Sequence, residues 1–308
     1  MSAARGVPGS PLPSHPLPAQ PLPALALPDP AGAPARQRSV GRVWLRVAAD
    51  GAGTATRLAD LAESGPSRLR FPRAHGGTPE AILVNTAGGI ACGDDFSVAL
   101  ELAAGAGLVL TTTAAEKVYR SDGPVSAIAN RVDLGPGARL AWLPQETILF
   151  DRARLRRRFE ADLAPDAGLL VFEAVAFGRA ARGERVEAGL FEDVWRIRRG
   201  GRLVYADSLR LDGPIAARLA RPAIGGGAGA CATLLDLTPG AEVRLDEVRV
   251  LLAECGATDG GRVEAGASAW NGHLAIRLLA ADLGPLRALA ARLLVRYRGL
   301  PLPRVWQA

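Results

Sequence analysis

The chain has 308 residues, is 48% apolar and carries a formal net charge of +6, supplied almost wholly by arginine, with Lys117 its single lysine. Arginine's planar fork suits pairing with carboxylates, so an acidic protein partner fits the charge; with 5% aromatic residues and no recognition-helix, zinc-finger or base-stacking pattern, nucleic acid is disfavoured. Three scattered cysteines (Cys92, Cys231, Cys255) and three scattered histidines (His15, His75, His273) give neither a disulfide framework nor a preformed zinc site, and no apolar run could span a membrane.

A reducing cytoplasm is therefore the expected compartment. Residues 1–38 form a Pro/Ala-rich stretch whose prolines remove backbone donors and favour an extended chain. They lack the continuous apolar core of a secretory signal. The expectation is a disordered arm over 1–38 and a single domain over 39–308.

From Val43 the pattern turns to strands. Phe96, Val98, Leu100 and Leu102 alternate with Ser97, Ala99 and Glu101, a period of two. A small motif then recurs: LAAGAGLVL at 102–110, LGPGARLAW at 134–142, LAPDAGLLV at 163–171 and LTPGAEVRL at 237–245. Each reads as a strand end, a turn with Gly, Pro or Asp, an alanine and a new strand. Such recurrence points to stacked β architecture, either a meander sandwich or a β-helix-like coil. Between 83 and 157 three polar clusters interrupt an apolar background: Asn85–Gly89 closing on Gly93-Asp94-Asp95, Thr111–Thr113 followed by Glu116, Lys117, Tyr119 and Arg120, and Trp142–Glu146 running into Asp151.

Further on, Gly200-Gly201 between alternating runs predicts a hairpin. Gly213-Pro214 opens a short helix stopped at Pro222, and the GGGAGA stretch at 225–230 reads as a flexible link. Leu286, Leu289, Ala290, Leu293, Leu294 and Tyr297 fall at helical spacing and predict one amphipathic helix near the C-terminus.

Two carboxylates stand in apolar strand patterns. Glu173 sits in LLVFEAVAFG, where both parities are apolar, and Asp207 shares parity with Leu203, Tyr205, Leu209 and Leu211. A buried carboxylate must be paired, protonated, hydrated or bound to a cation. An ion pair with an arginine such as Arg179 or Arg210 is the plain reading; a functional role is the other. Asp94 and Asp95 follow a Gly-rich loop and fit turn chemistry equally well. Glu116, Lys117, Tyr119 and Arg120 read as a charged strand face or part of a site. Arg152, Arg154, Arg156, Arg157 and Arg158 read as a solvated face, with an acidic-partner patch as the alternative. No phosphate-binding loop or nucleophile elbow occurs.

Five segments, NTAGGIACGDDFSV, TTTAAEKVYRS, LAWLPQETILFDRARLRR, EAVAFGRAARGE and GRLVYADSLRLDGP, resemble in order and spacing the urease accessory protein UreD family, called UreH in some bacteria. The resemblance runs from about Val43 to the terminal PRVW. It implies a mainly β protein with a β-helix-like body of stacked sheets and a few helices, one near the C-terminus. It implies no enzyme activity and no tightly bound cofactor. It also implies a complex with UreF and the GTPase UreG docked on apo-urease, with transient nickel passing to the urease active site, and it admits a dimer of that complex. Asp94, Glu173 and Asp207 match acidic positions of the family motifs and are the expected nickel path, since carboxylates hold the ion more weakly than thiolate or imidazole clusters. Cys92 stands where many relatives have glycine, and reads as an extra soft ligand or a small buried residue.

Overall fold

The structure, a computed structural model, describes residues 38–50, 55–72, 77–257 and 262–307. Of the Pro/Ala-rich arm only Arg38 is among them, and His15 and His75 also lie outside the described residues. The chain enters with β1 (Val40–Ala49), β2 (Thr56–Ser64), β3 (Ser67–Arg70) and β4 (Glu80–Asn85). The body follows as β5 (Asp95–Leu102), β6 (Gly107–Thr112), β7 (Glu116–Val118), β8 (Ser126–Leu134), β9 (Arg139–Leu143), β10 (Thr147–Leu149), β11 (Arg154–Leu163) and β12 (Gly168–Phe177). It closes with β13 (Gly189–Arg199), β14 (Arg202–Gly213), α1 (Ile215–Leu219), β15 (Ala230–Asp236), α2 (Leu245–Glu254), β16 (Val263–Trp270), β17 (His273–Ala280) and α3 (Leu283–Arg298).

Two sheets face each other. One has seven strands in the order β14-β13-β11-β8-β5-β1-β2; the other has ten, in the order β16-β17-β15-β12-β9-β6-β4-β3 with β10 beside β12 and β7 beside β10. Strands β1, β5, β8, β11 and β13 run parallel in the first sheet, and β4, β6, β9 and β12 run parallel in the second. Each rung of the body thus contributes a strand to each sheet, a stacked, β-solenoid-like arrangement: of the two architectures the repeats allow it is the β-helix-like one, as the family resemblance implies.

The register explains the recurring motif. Leu102, Leu134 and Leu163 are neighbours in one sheet, and Leu108, Leu140 and Leu169 in the other. The turns between them stack as well, and Ala106, Ala138 and Ala167 are all fully buried. A larger side chain there would collide with the rung above or below. Gly105 and Gly137 adopt positive φ at the turn, where a side chain is strained. The fourth repeat departs from expectation. After Gly240 the chain enters a 3-10 turn (Ala241–Arg244) and α2 rather than a strand. Val248 and Leu252 are buried in that helix while Asp246 and Glu247 occupy its first turn, so helical rather than alternating spacing governs the segment.

The Gly200-Gly201 hairpin forms as expected, both glycines at positive φ. Stretch 225–230 is not a loose link. It is a run of turns leading into β15, and a Cβ on Gly229 would lie 2.2 Å from the Ala281 carbonyl oxygen. The six apolar residues predicted for the C-terminal helix are the six buried residues of α3. With α2, this helix covers the outer face of the ten-stranded sheet. As a result β12 is buried along its whole length. No helix among the described residues is long and apolar enough to cross a membrane.

Candidate functional site: a charged layer between the sheets

Three charged residues occupy equivalent places in the interior. Arg157 lies between Leu155 and Phe159 on β11, Asp193 between Phe191 and Trp195 on β13, and Glu173 between Val171 and Val175 on β12. In each case one neighbour belongs to the larger apolar cluster between the sheets and the other to a smaller cluster at one end. The three therefore form a polar layer that divides the interior. Arg157 grips Asp193 in a fork, Nε donating to Oδ1 at 3.0 Å and Nη2 to Oδ2 at 2.6 Å. Its Nη1 donates across the gap to Glu173 and, at 3.3 Å, to Thr147 Oγ1. The second oxygen of Glu173 accepts the Trp142 indole N–H at 2.9 Å.

Alternation along β11 and β13 produces this arrangement. On β11 Arg154, Arg156 and Arg158 point outward, and Arg157, sharing parity with Leu155, Phe159 and Ala161, points in. Of the expected solvated arginine face, Arg152 is exposed, Arg154, Arg156 and Arg158 are half-buried, and Arg157 is buried. The partner of Glu173 is neither Arg179, which pairs with Glu184, nor Arg210, which pairs with Glu192 and Asp212. The plain ion-pair reading of Glu173 was right in kind and wrong in partner.

One guanidinium serving two buried carboxylates leaves an excess negative charge. Burial pushes the Glu173 carboxyl above its ordinary value, opposed by Arg157 and reinforced by Asp193. Burial alone would lower Arg157, but Asp193 and Glu173 outweigh it and hold the guanidinium more firmly protonated than usual. Cys231, half-buried nearby on β15, has its thiol pushed up to about 12, chiefly by desolvation.

The other two expected path residues lie apart from this layer. Asp94 is buried in the turn before β5, where Oδ1 accepts Ser39 N at 2.7 Å and Oδ2 accepts Ala91 N at 2.8 Å; this is the turn chemistry anticipated as one alternative. Asp207 sits on β14, the edge strand of its sheet, so the parity expected to bury it leads to a partly open flank where Leu203 is 53% exposed. Its Oδ2 accepts Arg277 Nη2 from β17 at 2.6 Å and faces the Tyr205 hydroxyl at 3.3 Å. No hydrogen bond or ion pair links Asp94, Glu173 and Asp207 to one another among the described residues. Nor does any group of three or more His, Cys, Asp and Glu there stand ready to hold a metal ion. Cys92 lies 3.2 Å from Ser121 Oγ and 2.9 Å from Asp122 Oδ1.

The three polar clusters of the sequence converge elsewhere, at the ends of β4, β6 and β9. Gln145 bridges three segments: its Nε2 donates to the Thr112, Thr113 and Val305 carbonyls, and its Oε1 accepts from Arg287 Nη2. Trp306 Nε1 donates to Thr111 Oγ1 and to the Leu143 carbonyl. These bonds tie α3 and the terminal turn to the sheet. Beside them Asn85 Nδ2 donates to both oxygens of Glu116 at 3.2 and 3.3 Å, and to the Gly89 carbonyl. Burial raises the Glu116 carboxyl to about 7, with the Asn85 bond offsetting part of the shift. Lys117 is exposed, so the expected charged strand face is split between the two sides of β7.

Sequence reasoning missed Asp193, Thr147 and the inward turn of Arg157. The signal was present. Phe191, Asp193, Trp195 and Ile197 share a parity, as do Leu155, Arg157 and Phe159, and the shared-parity test that singled out Asp207 applies equally to both.

Comparison with known proteins agrees over this whole body. The family described as UreD urease accessory protein matches residues 39–307. The chain is 68% identical to urease accessory protein UreD 1 of Methylobacterium radiotolerans over 90% of this chain and 94% of that protein. It is 64% identical to urease accessory protein UreD 2 of Methylorubrum populi over 91% and 94%. It is 53% identical to urease accessory protein UreD of Azorhizobium caulinodans over 90% and 99%. The chain belongs to the UreD family of urease accessory proteins.

Proposed function

We propose that this protein is a cytoplasmic, non-catalytic urease maturation factor that joins UreF and the GTPase UreG on apo-urease and helps deliver nickel to the urease active site. The observation that carries this reading is the family match across residues 39–307, which spans the entire described body. The nickel route is read as a series of separate carboxylates, Asp94, Glu173 and Asp207, with the ion as cargo and not a resident cofactor. Each carboxylate already has a partner: backbone amides for Asp94, Arg157 and Trp142 for Glu173, Arg277 for Asp207. A passing cation would have to displace these partners, so each oxygen set would hold it weakly and release it readily. That suits transit better than storage.

The test is nickel content of urease matured with the wild-type chain, with Glu173→Gln, with Asp207→Asn and with the double variant, alongside co-purification of UreF and UreG. Normal assembly with reduced nickel loading supports the passage. Full loading by the double variant would reduce the protein to an adaptor that holds its partners without touching the metal. A urease that is fully loaded without this protein would end the maturation reading altogether.

A further inference from the structure

The chain holds five tryptophans and three tyrosines, and four of these eight stand in one line through the gap between the sheets. Trp142 on β9 meets Phe159 on β11 edge to face, ring centres 5.3 Å apart, and Phe159 meets Trp195 on β13 at 5.7 Å. Trp195 lies 6.4 Å from Tyr205 on β14, and Tyr205 lies 6.3 Å from Trp270 on β16. These are spacings of rings in direct contact. His273 packs edge to face against both Tyr205 and Trp270. The other four, Trp44, Tyr119, Tyr297 and Trp306, touch no tryptophan or tyrosine ring among the described residues.

The line runs from the interior to the surface. Trp142, Trp195 and Tyr205 are buried, whereas Trp270 is 42% exposed. Its inner end joins the charged layer, where the Trp142 indole N–H is bonded to Glu173. Packing alone would be served by any ring, and phenylalanine would do. Indoles and phenols differ from it in that they can give up one electron. A phenol does so readily only where its proton can leave at the same time. Tyr205 meets that condition: its hydroxyl donates to Asp207 Oδ2 at 3.3 Å, an oxygen that also accepts Arg277 Nη2 at 2.6 Å.

We propose that Tyr205 is a redox-active tyrosine, the residue on which one-electron oxidation of this protein collects, with Trp270 as the entry from the surface. A small one-electron oxidant takes an electron from the Trp270 indole and is itself reduced by one electron. The Trp270 radical cation then takes an electron from Tyr205, whose hydroxyl proton passes to Asp207 Oδ2. The end state is an intact Trp270, a neutral Tyr205 phenoxyl radical and a protonated Asp207. The same sink draws a hole formed on Trp195 or, through Phe159, on Trp142, so the indole that holds Glu173 is spared. This activity is independent of the maturation reading above.

The probe is the azidyl radical, generated by pulse radiolysis of azide in solutions of the full chain, which oxidises indoles in preference to phenols. In the wild-type chain tryptophanyl absorption should convert to tyrosyl absorption at a rate independent of protein concentration. Tyr205→Phe keeps the ring in its packing and should lose that phase. Trp270→Phe should lower its yield, and Asp207→Asn should slow it. Each variant is checked for an unchanged thermal transition. After steady exposure, peptide mapping should find more oxidised Trp195 and Trp142 in Tyr205→Phe than in wild type. Conversion at full amplitude in Tyr205→Phe overturns the proposal, as does a rate that scales with protein concentration. If Tyr205→Phe alters the thermal transition, the other two variants decide: unchanged conversion in both overturns the proposal. Equal oxidation of Trp195 and Trp142 in wild type and Tyr205→Phe also overturns it, and leaves the four rings as core packing.

Discussion

Arg157 and Asp193 are register partners on adjacent parallel strands, yet the guanidinium that forks onto Asp193 also reaches across the interior to Glu173 on the facing sheet. A single side chain thereby ties the two sheets together at the boundary between two apolar clusters. Removing one member of a buried charge group strands the others. Arg157→Met should therefore destabilise the protein by about 3–5 kcal/mol. The triple change Arg157→Met, Glu173→Leu, Asp193→Leu should recover most of that loss, since well-packed apolar replacements of buried ion groups are often neutral or better. Denaturant unfolding of the single and triple variants decides it, and a triple variant no more stable than the single one would refute the account.

The pair Arg277 and Asp207 offers the contrast. It also crosses from one sheet to the other, at 2.6 Å, but on an open flank where the two side chains are 59% and 27% exposed. Asp207→Asn should cost about 1 kcal/mol or less in stability. An effect as large as that of Arg157→Met would mean that this flank is more enclosed than its exposure implies.

Glu116 gives a pH dependence of definite sign. Its carboxyl is raised from 4.5 to about 7 by burial, so between those values the folded state holds a proton that the unfolded state has released. Stability falls as pH rises through this window, by an amount on the order of 3 kcal/mol. Glu116→Gln should leave stability nearly unchanged below pH 4.5 and raise it at and above neutral pH. Unfolding free energies of both proteins across that range would show the two curves separating with rising pH.

His273 has the opposite sign. It is fully buried between Tyr205 and Trp270, and neither ring nitrogen has a hydrogen-bond partner, so burial holds its pKa below the ordinary value. The unfolded chain takes up a proton first as pH drops. Stability contributed by the neutral ring is present above the ordinary histidine pKa and is lost as pH falls below it. His273→Phe should flatten the acid limb of the stability profile below about pH 6.5; an acid limb identical to wild type would remove His273 as its source.

Trp306 anchors the terminal turn through Thr111 and Leu143 and lies against Phe172 on β12. Trp306→Ala should cost about 3–5 kcal/mol. It should also increase hydrogen exchange along α3, because the Arg287 bond to the Trp306 carbonyl is part of the same attachment. Unchanged protection of α3 would show that its apolar face alone holds it in place.

The sequence by itself determined the rungs of this protein. Leu102, Leu134 and Leu163 with the alanines that follow them repeat because parallel stacking places each rung on the last, and local turn chemistry is enough to reveal that. The C-terminal helix was legible for the same kind of reason, since its buried stripe has its own period. The excess apolar character of β12 marked Glu173 as buried, and family motifs pointed to the urease accessory group. What only the tertiary structure decided was pairing. Which arginine meets Glu173 depends on two strands lying in different sheets, and no spacing along the chain encodes a contact across the gap. Asp207 shows the complementary limit: its alternation is that of a buried strand face, but β14 is an edge, and burial there depends on what lies beyond it. The fourth repeat became a helix because the residues after Gly240 follow helical spacing, against the precedent of three earlier turns. Alternation tells which side chains face inward; the neighbour each one meets is fixed only when the sheets close over one another.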